Sequence, residues 1–250
     1  MRRKKKKSRI DLITMLYLQN YMNHKHIINR IIFICLALML VSCEFTEDQW
    51  RLGAGNRFRE NGNYSKSLEL FSKAIAEHPD NENAYNGRAL TYIALKDYGH
   101  ALTDLNKAIA INSKFFAPYS NRAGVWEKTG EYYKAINDCK TAIELEPDNY
   151  LLYNVYSFLL ATSPDEKLRN PKMSIVMAQK AIALKNRPDN MEILAIAYAS
   201  AGEFDKAIDT QVKAIQDINK NQNYKENLPT ANNRLQRFRQ NKPWHYDRNE

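Results

Sequence analysis

Residues 84–108 read AYNGRALTYIALKDYGHALTDLNKA, and residues 118–142 read PYSNRAGVWEKTGEYYKAINDCKTA. Laid over one another at a shift of 34, they place Ala89 on Ala123, Tyr92 on Trp126, Ala101 on Ala135, Leu105 on Cys139 and Ala108 on Ala142. The register extends in both directions: Gly55 and Ser157 fall on the first small position, Phe58 and Leu160 on the bulky one, and Ser67, Phe71 and Ala74 on the later three. A further copy runs through Ala195, Tyr198, Ala207, Gln211 and Ala214. Spacings of three, four and seven residues within each copy put these positions on single helix faces, so each copy reads as two helices joined by a turn.

Packing explains the pattern. Small residues recur where two helices cross closely, because a larger side chain would push the axes apart, while the bulky positions fill the space beside each crossing. One copy cannot bury its apolar face, and stacking neighbours supply the missing surface, so about three copies or more are needed. Asn61-Gly62, Thr129-Gly130 and Ala201-Gly202 stand where the first helix must stop and reverse, and Tyr64, Tyr98, Tyr132 and Phe204 follow to close the turn.

This register resembles the tetratricopeptide repeat, whose helix-turn-helix unit runs W-x2-L-G-x2-Y, then A-x3-F, then P. Pro79 and Pro147 hold the terminal proline position, and Ser113 replaces it in the second copy. The resemblance implies an all-α, right-handed solenoid of five repeats at 48–81, 82–115, 116–149, 150–187 and 188–219, a capping helix at 229–241 and a tail at 242–250. The fourth copy carries an insertion, with 14 residues from Leu160 to Ser174 where the others have nine. Pro164 is expected to end its first helix near Ala161 or Thr162, and Pro171 to start the second. The loop reads either as a neutral elongation on the solenoid edge or as a partner contact. In the cap, Leu235 and Phe238 share a face, and Trp244 and Tyr246 either pack back on it or meet a partner.

Ahead of the repeats, Ile31 to Val41 form an uninterrupted apolar run of 11 residues, with Lys25 and Arg30 on its amino-terminal side. A membrane span needs about 20 such residues, so the run fits the core of a signal peptide, and an uncleaved signal anchor is the alternative. Leu40, Val41, Ser42 and Cys43 resemble a bacterial lipobox. That resemblance implies cleavage before Cys43, acylation of its thiol, and a lipoprotein facing the periplasm on a membrane. Glu44, an acid at the place where an aspartate favours inner-membrane retention, leaves the choice of membrane open, with the outer membrane favoured over the inner. Met22 opens a leader of ordinary length ending at Ser42, so translation is expected to start there or the preceding stretch to be dispensable.

Charge supports the division. The whole chain carries a formal net charge of +9, but residues 1–42 hold nine Lys or Arg and one acidic residue, leaving 28 basic and 27 acidic residues after them. The repeats therefore offer no excess positive field for nucleic acid. Of three cysteines, Cys35 lies in the leader, Cys43 is the acylation candidate and Cys139 takes a buried helix position, so no disulfide pair remains. After the leader only His78, His100 and His245 remain, with no His-x3-His pair, CxxC or GxSxG, so metal and nucleophile chemistry lack components. Gly53-Ala54-Gly55 starts like a dinucleotide loop, but Phe58 stands at the third glycine position. No enzyme, no cofactor and no small-molecule substrate are expected.

Function then rests on surface. In the tetratricopeptide family the first helices line a groove that receives a segment of another protein. Carried onto this sequence, that groove holds Asn56, Asn86, Asn121 and Asn154, with Leu90, Phe158, Ile193 and Ile196 beside them. An Asn amide offers donors and an acceptor that pair with a peptide backbone irrespective of side chain. Equally, Asn is tolerated on any exposed helix face. A co-chaperone carboxylate clamp is not expected, because of its matching positions Leu52, Asn56, Gly87, Ala117 and Asn121 only Asn56 agrees. The expectation is a lipid-anchored adaptor that holds a partner protein or peptide at the cell envelope. The alternative is a fixed subunit of an envelope assembly, of the secretin-pilotin or outer-membrane assembly type, built through the convex face and cap.

Overall fold

The computed structural model describes residue 47 and residues 49–244. The leader, Cys43, His245 and Tyr246 lie outside the described residues. The chain divides into two compact units, Met1–Ala54 and Gly55–Glu250. In the first, residues 49–54 are helical, and Arg51 pairs with Glu47 one turn away.

The second unit is all helix and turn among the described residues. Its helical residues 55–60, α1, are followed by α2 (Tyr64–Glu77), α3 (Glu82–Ala94), α4 (Tyr98–Ile111), α5 (Phe116–Thr129) and α6 (Tyr132–Leu145). Then come α7 (Tyr150–Thr162), α8 (Pro171–Leu184), α9 (Pro188–Ser200), α10 (Phe204–Lys220) and α11 (Leu228–Arg239). From α2 onward each helix packs on the next, and α3 also meets α5 as α7 meets α9. That is the contact pattern of a solenoid of helix hairpins.

The small positions sit where expected: Ala89, Ala123, Ala101, Ala135, Ala108 and Ala142 are fully buried. Around them the core is segmental. Leu105 and Val125 join α3, α4 and α5; Ile136, Cys139 and Leu159 join α5, α6 and α7; Ile196 and Phe238 join the last hairpin to the cap. Where a copy has serine at a small position, the hydroxyls find partners. Ser157 Oγ donates to Ser174 O at 2.9 Å and Ser174 Oγ donates to Ser157 O at 2.8 Å, while Ser67 Oγ and Thr91 Oγ1 lie 2.9 Å apart. These pairs keep buried polar atoms from costing their desolvation.

One turn recurs through the stack. The amides of Asn63, Asp97, Glu131 and Glu203 donate to the carbonyls of Phe58, Tyr92, Trp126 and Tyr198, at 2.8, 2.9, 2.7 and 2.9 Å. This is the long bond of the Schellman motif, which requires a left-handed residue just before the donor. Gly62, Gly130 and Gly202 supply it, and Lys96 supplies it at φ 59° without the glycine. The fourth copy keeps the bond across its insertion: Asn170 N donates to Leu160 O at 2.9 Å, so the Ser163–Arg169 loop, with its short 3-10 turn Glu166–Leu168, leaves and returns at one point. Asn170 then caps α8, its side chain accepting from Met173 N at 3.0 Å with Pro171 in the first turn.

Candidate functional site: the face of the first helices

Two first helices, α3 and α7, open after a side chain that accepts a free amide, whereas α5 and α9 have no such cap. Asn81 Oδ1 accepts from Ala84 N at 3.1 Å before α3, and Asn149 Oδ1 accepts from Leu151 N at 3.1 Å before α7. Arginines then tie α3 and α5 to their second helices. Arg88 donates through Nε and Nη2 to the two oxygens of Asp104, both at 2.8 Å, and one repeat later Arg122 does the same to Asp138, both at 2.8 Å. Each also reaches back to the preceding repeat, Arg88 Nη1 to Ser72 Oγ at 3.1 Å and Arg122 Nη1 to Asn106 Oδ1 at 2.6 Å. Hydrogen bonding to the carboxylates raises both guanidinium pKa values. The sequence reading missed this ladder because it followed the apolar positions, although Arg88, Arg122, Asp104 and Asp138 obey the same period.

The asparagine row falls on this face but is spoken for in part. Asn121 Nδ2 donates to Asn86 Oδ1 at 2.8 Å, bridging α5 and α3, and Asn56 Oδ1 accepts from Arg59 Nη1 at 3.0 Å. Asn154 is buried; its Nδ2 donates to Asn190 Oδ1 at 2.6 Å, and Asn190 in turn donates to Ala181 O at 3.2 Å and Lys185 O at 2.5 Å. That chain closes the carbonyl end of α8 and locks α7 to α9. Leu90, Phe158 and Ile193 are half-buried, as a lining requires. Ile196 differs from the sequence expectation: it is fully buried in the core with Ala195 and Phe238, because the cap packs against that side of the last hairpin.

A pocket of about 310 Å³ opens on this face. Its apolar wall is Val155, Phe158 and Ile193, from α7 and α9. Its polar wall is Glu127 of α5, Asn154 of α7, Asp189 and Glu192 of α9, and Arg234 of α11. Every contributor is a first helix or the cap, so the pocket exists only where hairpins stack. Asn154 Oδ1 has no hydrogen-bond partner among the described residues. Glu192 accepts from Arg234 Nη1 at 2.6 Å and from Gln211 Nε2 at 3.3 Å, yet burial outweighs both and pushes its carboxyl above the usual range. Asp189 accepts from Arg187 Nε at 2.9 Å. Glu127 has Lys128 at 3.9 Å, and burial pushes its carboxyl up as well. The sequence reading named Asn154, Phe158 and Ile193 here but passed over the carboxylates. Glu127 lies on α5 and the other two on α9, and no local spacing joins it to them.

Cys139 is 2% exposed between α5 and α7, and burial pushes its thiol up to about 12. Among the described residues no group of His, Cys, Asp or Glu is placed to hold a metal ion. No described helix is long and apolar enough to cross a membrane.

Comparison with known proteins agrees with the fold. The family model described as "TPR repeat" matches residues 55–96, and that described as "Tetratricopeptide repeat" matches 82–115 and 119–149. Residues 55–115 and 119–149 therefore match tetratricopeptide repeats. Rattus norvegicus serine/threonine-protein phosphatase 5 is 27% identical over 118 residues, 47% of this chain and 21% of the phosphatase. The DnaJ homolog subfamily C member 7 homolog of Schizosaccharomyces pombe is 33% identical over 96 residues, 37% of this chain and 20% of that protein. The chain thus spans about a fifth of the length of these curated relatives. Among solved structures, TTC0263 of Thermus thermophilus, a thermophilic TPR protein, superposes with a TM-score of 0.60 at 22% identity, over 74% of this chain and 98% of its own. MamA of Desulfovibrio magneticus RS-1 superposes at 0.59 with 15% identity, over 70% of this chain and 97% of its own.

Proposed function

We propose that the protein is an adaptor: the face of its first helices binds a segment of a partner protein, and acyl chains on Cys43 hold the pair at a bacterial membrane, facing the periplasm. The repeats are an interaction scaffold and not a catalytic fold, and the observation that carries the reading is the pocket. It lies on the first-helix face, is large enough at about 310 Å³ for side chains of a bound segment, and combines an apolar wall with carboxylates of α5 and α9. The test is a cross-linked pull-down from source-cell envelopes with the native chain and with Leu90→Ala and Phe158→Ala together. Loss of one specific partner with helicity unchanged supports the adaptor, and its retention moves the interface elsewhere.

The anchor has its own test. Cys43→Ser should shift the protein from the membrane to the soluble fraction and abolish incorporation of labelled palmitate, whereas unchanged fractionation removes the lipoprotein reading.

A second reading, a fixed subunit of an envelope assembly, rests on exposed apolar side chains of the second helices. Tyr133 of α6 and Met173 and Val176 of α8 are 66%, 41% and 52% exposed. Such residues suit a contact on the opposite face of the hairpins.

A further inference from the structure

The pocket on the first-helix face has a polarity that the asparagine row does not explain. Of its charged lining groups, Glu192 is neutralised by Arg234 and Asp189 by Arg187, at 2.6 and 2.9 Å. Arg234 is further occupied on its other face, where Trp244 lies 5.2 Å from the guanidinium. Glu127 is different. Its side chain is 15% exposed, and it pairs with Lys128 at 3.9 Å, a long separation to a lysine that is itself 46% exposed. A carboxylate so placed has lost much of its water without gaining a close counter-charge. The same pocket is lined by the apolar side chains Val155, Phe158 and Ile193 and by the buried Asn154.

An apolar lining that includes a weakly compensated carboxylate matches one kind of side chain: a long aliphatic stem with a cationic head. We infer that this pocket receives a lysine or arginine carried by the bound segment, its stem along Phe158, Val155 and Ile193 and its head at Glu127. The inference rests on the first-helix face being the binding face. It reverses the charge logic of a carboxylate clamp: here the adaptor supplies the anion and the partner the cation. Glutamate or aspartate at the same place in a partner meets uncompensated like charge and is rejected.

The test uses fluorescein-labelled peptides of one sequence, acetylated and amidated, differing only in a central Arg, Lys, norleucine or Glu, with the full-length chain and anisotropy as the readout. The Arg and Lys peptides should bind about tenfold or more tightly than norleucine, and Glu weakest. Glu127→Gln should bring the Arg-to-norleucine ratio close to one, while Glu144→Gln, on α6 away from the pocket, should leave it unchanged. Because Glu127→Gln removes a desolvated charge, it should melt no lower than the native chain, so lost discrimination is not lost folding. Equal binding of all four peptides overturns the cation pocket and leaves the adaptor standing. No binding by any peptide also overturns it. The adaptor falls with it only if the envelope partner survives Phe158→Ala in the pull-down.

Discussion

Phe71 shows how tightly a single residue is held. Its ring is 1% exposed, and a Cβ built on Gly87 would lie 2.3 Å from its Cε1, inside any permitted contact. Gly87 is thus required for close approach of α3 to α2. Gly87→Ala should destabilise by about 1–3 kcal/mol, the usual range for overpacking, and lower the melting temperature by several degrees. A melting curve superimposable on that of the native chain would show that Phe71 has room to move. Lys96 argues the opposite way. It holds the left-handed turn position that glycine holds in three other copies, so Lys96→Gly should raise stability, by up to about 1 kcal/mol once glycine's own entropy cost is deducted. A lower melting temperature would mean that its side chain contributes more than its backbone costs. The protonation of Glu127 is a residue-scale matter as well. Its carboxyl is raised above the ordinary value by burial, so its ionised form disfavours folding at neutral pH, and that penalty fades as pH falls below the raised folded value toward the unfolded one. The melting-temperature advantage of Glu127→Gln should therefore be largest near pH 7 and shrink toward about pH 4.5.

At the scale of helices, the apolar register was readable directly, since the small and bulky positions repeat with the period of the hairpin and each fell where packing demands. What stayed hidden were the polar links between helices. The Arg88–Asp104 and Arg122–Asp138 pairs repeat, but they join residues 16 apart across a turn, a distance at which no helix-face rule operates. The asparagines lie on first helices, as their register requires, yet their mutual hydrogen bonds were not visible, because whether an amide meets a peptide or another amide depends on the rotation between neighbouring hairpins. Gln211 was read as a core position, and it is fully buried, but its Nε2 donates to Glu192 Oε1 and to Ala231 O, both at 3.3 Å, so it joins α10 to α9 and to the cap. Asp138→Asn should cost about 1–2 kcal/mol, discounted from the value for a fully buried pair because Arg122 keeps 20% of its side chain in water. Urea unfolding with an unchanged slope would measure it, and no shift of midpoint would mark the ladder as decoration.

For the molecule as a whole, stability in a solenoid is close to a sum over hairpins and their interfaces, and an open end exposes a face made for burial. Here α11 closes that end through Phe238, fully buried, with Ala231 and Leu235, and it also gives Arg234 to the pocket. Phe238→Ala should cost about 3–5 kcal/mol and should weaken peptide binding together with stability, which a purely local cap would not do. The sequence announced a capping helix from its apolar face, but not that the cap completes the binding pocket, since that follows from which way α11 turns over the last hairpin.

Everything proposed for this protein depends on partners binding to the first-helix face. The most direct measurement places a photo-crosslinking phenylalanine analogue at Phe158, in the pocket, and separately at Val176, on the exposed side of α8, and irradiates source-cell envelopes. Binding on the first-helix face predicts one discrete adduct at position 158 and none at 176, and the cation pocket predicts in addition that Glu127→Gln weakens the adduct. An adduct at 176 with none at 158 would contradict it and leave the fixed-subunit reading in its place.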